Sequence, residues 1–236
     1  MKKNIVVLTG AGISAESGIN TFRDSGGLWE KYNVEDVATP EAWLKDKVLV
    51  TDFYNQRRKQ LLKVTPNYGH IGLAELEKWF NVFVITQNVD NLHEQAGSSS
   101  VLHLHGELTK VRSECYEYLV YELTPDKYEV KIGDLCEKGH QLRPHIVWFG
   151  EAVPMMDEAM EITQQADILV IIGTSLNVYP AAGLLHYAPS DIPIYLIDPN
   201  DVYVNRKNVR IIKKGASEGM KDLIEELAKN ENNEVV

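Results

Sequence analysis

The sequence predicts an α/β fold, a doubly wound, Rossmann-like parallel sheet with a smaller inserted module. Three observations predict it. Short runs nearly continuous in Val, Ile and Leu, such as "NIVVLT" at 4–9 and "ILVIIG" at 168–173, suit strands covered on both faces. These runs alternate with segments of helical periodicity, as a parallel sheet with crossover helices requires. A glycine loop follows the first run directly, where such a sheet turns from strand into helix.

In chain order, strands are expected at 4–9, 82–86 ("VFVIT"), 101–105 ("VLHLH"), 145–149 ("HIVWF"), 168–173 and 193–198 ("PIYLID"). Helical patterns fall at 41–62, 67–79, 154–166 and 216–229, with Pro40 and Pro154 near two of the starts. Two stretches break the alternation. Residues 20–66 carry aromatics, Gly26, Gly27 and a long amphipathic helix without a strand, and so predict a flap with a helical module. Residues 108–142 hold "LVYEL" and "YEVKIG" around Pro125, which predicts a small antiparallel insert. The whole of 1–236 reads as a single domain containing these two segments, ending in a polar, frayed tail, "KNENNEVV".

Composition narrows the function classes. Apolar residues are 44% and charged residues 25% of 236, an ordinary globular balance. A net charge of −10 argues against nucleic acid as a default partner, because phosphate neutralisation needs a basic surface; it leaves basic protein segments open as partners, which an acidic surface would suit. No apolar run reaches the roughly 18 residues of a membrane span, and "MKKNIVVLTG" is too short in its apolar part for a secretory leader. Cys115 and Cys136 form no disulfide framework. A cytoplasmic protein is expected.

The chemistry gathers at the polar ends of the strands, where open α/β sheets bind their ligands. After the first strand comes "LTGAGISAESGI", in which Gly10, Gly12 and Ala15 fit G-x-G-x-x-A, and Ser14 or Ser17 opens the next helix. Glycines there permit a tight turn and close backbone approach to a pyrophosphate. The continuation "NTFRDSGGLWEKY" lacks the second strand ending in an acid that hydride-transfer enzymes carry; Phe22, Arg23 and Trp29 read instead as a lid. After "VFVI" comes "TQNVDNLH", with Gln87, Asn88, Asp90 and His93 together. After "ILVII", "GTSLNVYPAAG" offers the backbone N–H groups and hydroxyls of Gly173, Thr174 and Ser175. In "VLHLHGEL", Val101, His103 and His105 share one strand face. His105 stands last, beside Gly106, where a base reaches the crevice, and His103 one pleat deeper reads as a supporting residue.

Taken together and in this order, "GAGISAESGINTFR", "TQNVDNLHEQAG", "HLHGEL", "RPHIVWFGE" and "GTSLNVYPAAG" resemble the sirtuins, the NAD-dependent protein deacylases, over residues 4–225. The resemblance implies that the segment from Gly10 to Trp29 binds NAD and closes over it, with Ala11, Phe22 and Arg23 at the nicotinamide end. Gln87, Asn88 and Asp90 would contact the nicotinamide ribose and amide. Gly173, Thr174 and Ser175, then Asp198, Pro199 and Asn200, and finally Ala216 would complete the adenosine side. The family commonly has Asn where this chain has Asp198, and a carboxylate there can still accept from ribose hydroxyls. The implied reaction has the acyl carbonyl oxygen of a modified protein lysine attack C1′ of NAD as nicotinamide leaves. His105 then activates a ribose hydroxyl, and free lysine and O-acyl-ADP-ribose are released. Two rival readings use the same site: a protein ADP-ribosyltransferase, which does not need His105, and a non-catalytic NAD sensor.

Two features bear on the branch of the family. Sirtuins usually hold a structural zinc with two C-x-x-C pairs. Here only Cys115 and Cys136 remain, with Ser113 and Gly133 near the expected partners and His140 as a third donor at most, so no metal site is expected. The stretch "FYNQRRKQL" places Tyr54 and Arg57 three apart on one helical face, with Arg58 and Lys59 pointing elsewhere into solvent. This Tyr-x-x-Arg pair resembles the branch that removes succinyl and malonyl groups, where it binds the distal carboxylate. The small Ala15 is consistent with room for a longer acyl chain.

Overall fold

A computed structural model describes residues 2–19, 32–176 and 179–233. Its main sheet has six parallel strands: β1 (Asn4–Thr9), β2 (Asn81–Thr86), β3 (Val101–His103), β7 (Ile168–Ile172), β8 (Ile194–Ile197) and β9 (Val209–Ile212). Their spatial order is β3-β2-β1-β7-β8-β9. The chain therefore winds outward from β1 in one direction and outward from β7 in the other, leaving a crevice where the order reverses. β1 and β7 are central, which explains why both are unbroken apolar runs.

Alternation of side chains divides the core into two faces. Ile5, Val7, Val84, Val170, Ile172 and Ile197 pack against Leu73 and Leu76 of α5 (Tyr68–Leu76) and Met220, Leu223 and Leu227 of α8 (Ala216–Asn233). Val6, Leu8, Ile85, Leu169, Ile171 and Leu196 face Ala159 of α7 (Met156–Gln164) and Leu184 and Leu185 of a 3₁₀ turn at Ala181–His186. A third cluster joins the helical module to the insert: Val37 of α2 (Val34–Val37), Trp43, Phe53, Tyr54, Leu92, Leu108, Ile146 and Trp148. The insert is a three-stranded antiparallel sheet, β5-β4-β6, from β4 (Gly106–Ser113), β5 (Val120–Glu122) and β6 (Leu142–Ile146).

The doubly wound class and the insert are as expected, but the strand expected at 101–105 ends at His103, the edge strand β9 was not expected, and three further segments differ. The long helix of 41–62 is two: α3 (Pro40–Lys45) and α4 (Lys47–Leu61). Asp46 separates them because its backbone leaves the helical region (φ −151, ψ 84) and its carboxylate caps the second helix, accepting from Leu49 N at 2.9 Å. "YEVKIG" is not a strand. Val130 in it exchanges both backbone hydrogen bonds with the Asn55 side-chain amide on α4 (2.9 and 2.8 Å), so a side chain takes the place of a neighbouring strand. The strand expected at 145–149 lies earlier, at Leu142–Ile146, because its pairing with β4 starts from Ser113↔Leu142 and ends at Gly106↔Ile146.

Candidate active site

Three glycines make the crevice. A Cβ on Gly12 would stand 2.6 Å from the Gly173 Cα, and one on Gly10 would stand 2.8 Å from the Gly173 carbonyl oxygen. Gly12 N donates to that same carbonyl at 2.9 Å. Gly173 adopts φ +61, where a side chain is strained. The turn into α1 (Gly12–Ala15) is thus laid directly on the turn after β7, across the point where the strand order reverses. Such a cradle fits a dinucleotide, whose phosphates need bare backbone.

The loop after β2 closes this cradle from the side. Asn88 is buried; its amide donates to the Gly10 carbonyl (3.2 Å) and to Ser14 Oγ (3.1 Å). Ser14 donates in turn to Asp90 Oδ2 at 3.1 Å, while Leu92 N caps Asp90 Oδ1 at 3.2 Å. Gln87 reaches across to Thr174 Oγ1 (3.2 Å). Burial raises the Asp90 pKa, partly offset by the Leu92 and Ser14 bonds and by the charges of His103 and Arg57. At the next strand, Asp198 is buried and accepts from both nitrogens of Asn200 (2.8 and 3.1 Å) with Oδ1, leaving Oδ2 as an acceptor. Pro199 and Asn200 are exposed at that corner, and Ala216 is buried at the start of α8 against Gly69. Ala11 is half-buried in the turn, and Ala15 is exposed at the end of α1. Ser175 follows Thr174 on the same loop, half-buried. Phe22, Arg23 and Trp29 lie outside the described residues.

His105 was expected as the last residue of its strand; β3 instead ends at His103, and His105 sits two residues further on, in the turn from β3 to β4. Gly106 permits that turn (φ +78); a Cβ there would run into the His145 carbonyl. His105 Nδ1 lies 3.0 Å from the Gln87 carbonyl oxygen, which can only accept. The ring therefore carries its proton on Nδ1 and presents a bare Nε2. Burial lowers its pKa, with the Gln87 bond opposing, so the ring is neutral at neutral pH. His103 holds the neighbouring carbonyl, of Asn88, at 3.0 Å.

The Tyr54 and Arg57 side chains come together as expected, the guanidinium 5.9 Å from the ring centroids of both Phe53 and Tyr54. Tyr54 is buried and accepts from Trp148 Nε1 at 3.0 Å, which leaves its own O–H to donate. The adjacent Val147 N donates to the His105 carbonyl at 3.0 Å, so the tyrosine and the histidine hang on neighbouring residues of one segment. Arg57 also acts electrostatically on Asp90. Arg58 corrects the sequence reading: it is 3% exposed, not solvated. Its Nε donates to the Leu108 carbonyl (2.8 Å) and Nη1 to Asn55 Oδ1 (3.0 Å), and desolvation lowers its pKa to about 10. Lys59 is exposed as expected.

Sequence reasoning missed a buried layer behind the loop. His70 Nε2 lies 3.4 Å from Ser14 Oγ, and His93 Nε2 lies 3.1 Å from Thr9 Oγ1, with the two rings 4.9 Å apart. Desolvation lowers the His70 pKa to about 4 and that of His93 well below the ordinary value. His93 is thus a buried, neutral support against Thr9. Nothing local in "NYGHIGLAEL" marks His70, since its partner stands 56 residues away.

The metal question turns on the insert. Ser113 Oγ accepts from Cys136 Sγ (3.4 Å) and from the backbone N–H groups of Cys115 and Tyr116 (both 3.3 Å). Cys115 is exposed, and the His140 ring meets that of Tyr116 edge-on, centroids 5.3 Å apart. Among the described residues no three His, Cys, Asp or Glu side chains converge as metal donors, so the residues present do not fit a closed zinc site.

Known proteins share this arrangement. A profile of the Sir2 family matches residues 10–180. A Bacteroides thetaiotaomicron protein named NAD-dependent protein deacylase is 64% identical over 225 residues, 94% of this chain and 96% of its own length. An ADP-ribose complex of a Sir2 homologue superposes with a TM-score of 0.88 at 38% identity, covering 98% of this chain and 94% of the other. A Sir2 homologue solved with NAD gives 0.85 at 39% identity, covering 97% and 90%. By a profile match over most of its length and a relative this similar from end to end, the chain belongs to the Sir2 family.

Proposed function

We propose that this chain, an NAD-dependent protein deacylase by family, acts preferentially on lysines whose acyl group ends in a carboxylate, succinyl and malonyl above acetyl. The observation that supports this most is the pairing of Arg57 with a buried Tyr54 whose hydroxyl proton is left to donate. A guanidinium and a hydroxyl on one helix face make a fork for a carboxylate. Tyr54 and His105 are tied to neighbouring residues of one segment, Trp148 and Val147, which supports reading the fork and the base as parts of one site.

NAD supplies the electrophilic ribose carbon and accepts the acyl group. Every other part falls to residues of this chain. Gly10, Gly12 and Gly173 give the phosphates backbone to lie against, and Asp198 Oδ2, without a hydrogen bond among the described residues, can accept from ribose hydroxyls. Asn88 and Asp90, fixed by Ser14, hold the nicotinamide end; Gln87 and Thr174 fix each other beside it. His105 Nε2 takes a proton from a ribose hydroxyl, its tautomer set by the Gln87 carbonyl. Substrates in this reading are acylated lysine side chains of cytoplasmic proteins, and an acidic chain suits the basic segments in which lysines cluster. Among the described residues no helix is long and apolar enough to cross a membrane.

The test compares succinyl- and acetyl-peptides, with NAD, on wild type, Arg57→Met and Lys59→Met. Hydrogen bonds to charged groups contribute roughly 1.5–3 kcal/mol, so Arg57→Met should lower succinyl kcat/KM about 10–150-fold. Acetyl turnover should hardly change, and Lys59→Met should resemble wild type. Equal loss on both substrates would remove the carboxylate fork and leave the general deacylase. Labelled protein without free lysine would point to ADP-ribosyl transfer instead.

A further inference from the structure

His103 is placed unlike an ordinary supporting histidine. Both of its ring nitrogens face acceptors: Nδ1 the Asn88 carbonyl at 3.0 Å, and Nε2 the Glu94 carboxylate at 2.8 Å. Neither acceptor has a proton to give while Glu94 is ionised. Both bonds exist together only if the ring carries two protons. The two histidines of "HLH" thus hold consecutive carbonyls of the same loop, His105 that of Gln87 and His103 that of Asn88.

We propose that Glu94 and His103 form a positioning pair: Glu94 keeps His103 as an imidazolium, whose Nδ1–H anchors the Asn88 carbonyl, and turnover falls when this ring loses a proton. The inference rests on the reading of His105 as base and of the 87–90 loop as its scaffold. A neutral His103 has one N–H for two acceptors. The carboxylate is the stronger of the two, so the proton goes to Nε2 and a lone pair is turned on the Asn88 carbonyl. The loop that fixes the His105 tautomer and the Asn88 amide then loses its anchor. His103 acts through its neighbours and does not touch the reacting atoms.

The charges around the ring set the direction. Glu94 and His93 face it from α6 (Leu92–Ala96), Asp90 from the loop before that helix, and Glu107 from β4, with Lys110 close to both Glu94 and Glu107. Burial works against the imidazolium, but the Glu94 bond, the Glu94 and Glu107 charges and the Asn88 carbonyl outweigh it, and the His103 pKa is raised. That of His105 is lowered. The anchor is therefore present at low pH and lost as pH rises through the His103 pKa. The base is usable at high pH and lost as pH falls through that of His105. Two histidines two residues apart bound the working window from opposite sides.

The experiment is the pH profile of kcat/KM for wild type, Glu94→Gln, His103→Asn and His103→Leu, with the imidazole titration of His103 followed by NMR. Wild type should give a bell. Glu94→Gln keeps an acceptor for Nε2–H but not the charge, so the alkaline limb and the His103 titration should both move down by roughly one pH unit. His103→Asn puts an amide N–H near the place of Nδ1 and cannot titrate, so plateau activity should persist and the alkaline limb should vanish. His103→Leu should fall about tenfold or more at every pH. The acid limb should stay in place in all of them. The pair is refuted by a wild-type profile with no alkaline limb below about pH 9.5. It is equally refuted if Glu94→Gln and His103→Asn leave that limb where it was, or scale the whole profile by one factor. Failure of the base reading shows separately, as an acid limb and full turnover that survive His105→Ala.

Discussion

His105 and Arg58 show how unevenly single residues disclose their roles. His105→Ala should lower turnover about 10²- to 10⁴-fold while the fold and NAD binding persist, because the ring supplies a proton acceptor and little packing. Since burial lowers its pKa, wild-type activity should persist to a pH below the ordinary histidine value and then fall. Steady-state turnover and ligand-binding titration of the variant check both statements, and wild-type turnover would sink the assignment. The role proposed for His105 could be argued from sequence because its signal is local: a histidine just past a strand, next to a glycine, beside a polar loop. Arg58 was not, because periodicity says only which way a side chain leaves its helix. Whether solvent or a carbonyl meets it depends on Leu108, 50 residues further on in the insert. The same limit hid His70, whose partner Ser14 belongs to another element.

At the scale of elements, the insert is held together by contacts between its own side chains and with α4. A zinc would join the turn at 113–116 to the turn at 136–139. Here a hydrogen bond from Cys136 Sγ to Ser113 Oγ spans them, and Lys138 sits 4.3 Å from the Tyr116 ring and 2.6 Å from the Tyr118 hydroxyl. The Asn55 amide ties the far side of the insert to α4. Structural zinc contributes folding energy directly, so a real site announces itself on removal. Purified protein should contain well below one zinc per chain, and a strong chelator should leave its melting temperature unchanged. Stoichiometric zinc with cooperative loss of structure on chelation would show that unforeseen donors assemble. The missing cysteines were plain in the sequence; the aromatic and side-chain contacts in their place were not. Such contacts need no fixed spacing and leave no motif. For the same reason the break at Asp46 passed unseen, a helix cap inside an unbroken helical pattern.

For the molecule as a whole, the alternation of apolar runs and helices foretold a doubly wound sheet, and the strand order then fixes where ligands go. Position follows from topology: β1 and β7 are neighbours in space, and their following turns meet as Gly12 and Gly173. A dinucleotide laid there touches loops from both halves of the sheet, so its binding energy should oppose unfolding of the whole molecule. At a ligand concentration of about 100 Kd the stabilisation is roughly 2.7 kcal/mol. For a chain of this size that corresponds to about 5–10 °C in Tm. ADP-ribose should produce this shift in wild type and most of it in His105→Ala, since the base meets the cradle only through the Gln87 carbonyl. Gly12→Ala should behave differently. Its new methyl would stand 2.6 Å from the Gly173 Cα, so the two turns must separate and the phosphates lose their bed. The variant should melt lower without ligand and show most of the ADP-ribose shift abolished. Thermal melts with and without ADP-ribose read both quantities at once. A full ligand shift in Gly12→Ala would mean that the dinucleotide lies elsewhere than across the β1–β7 turns.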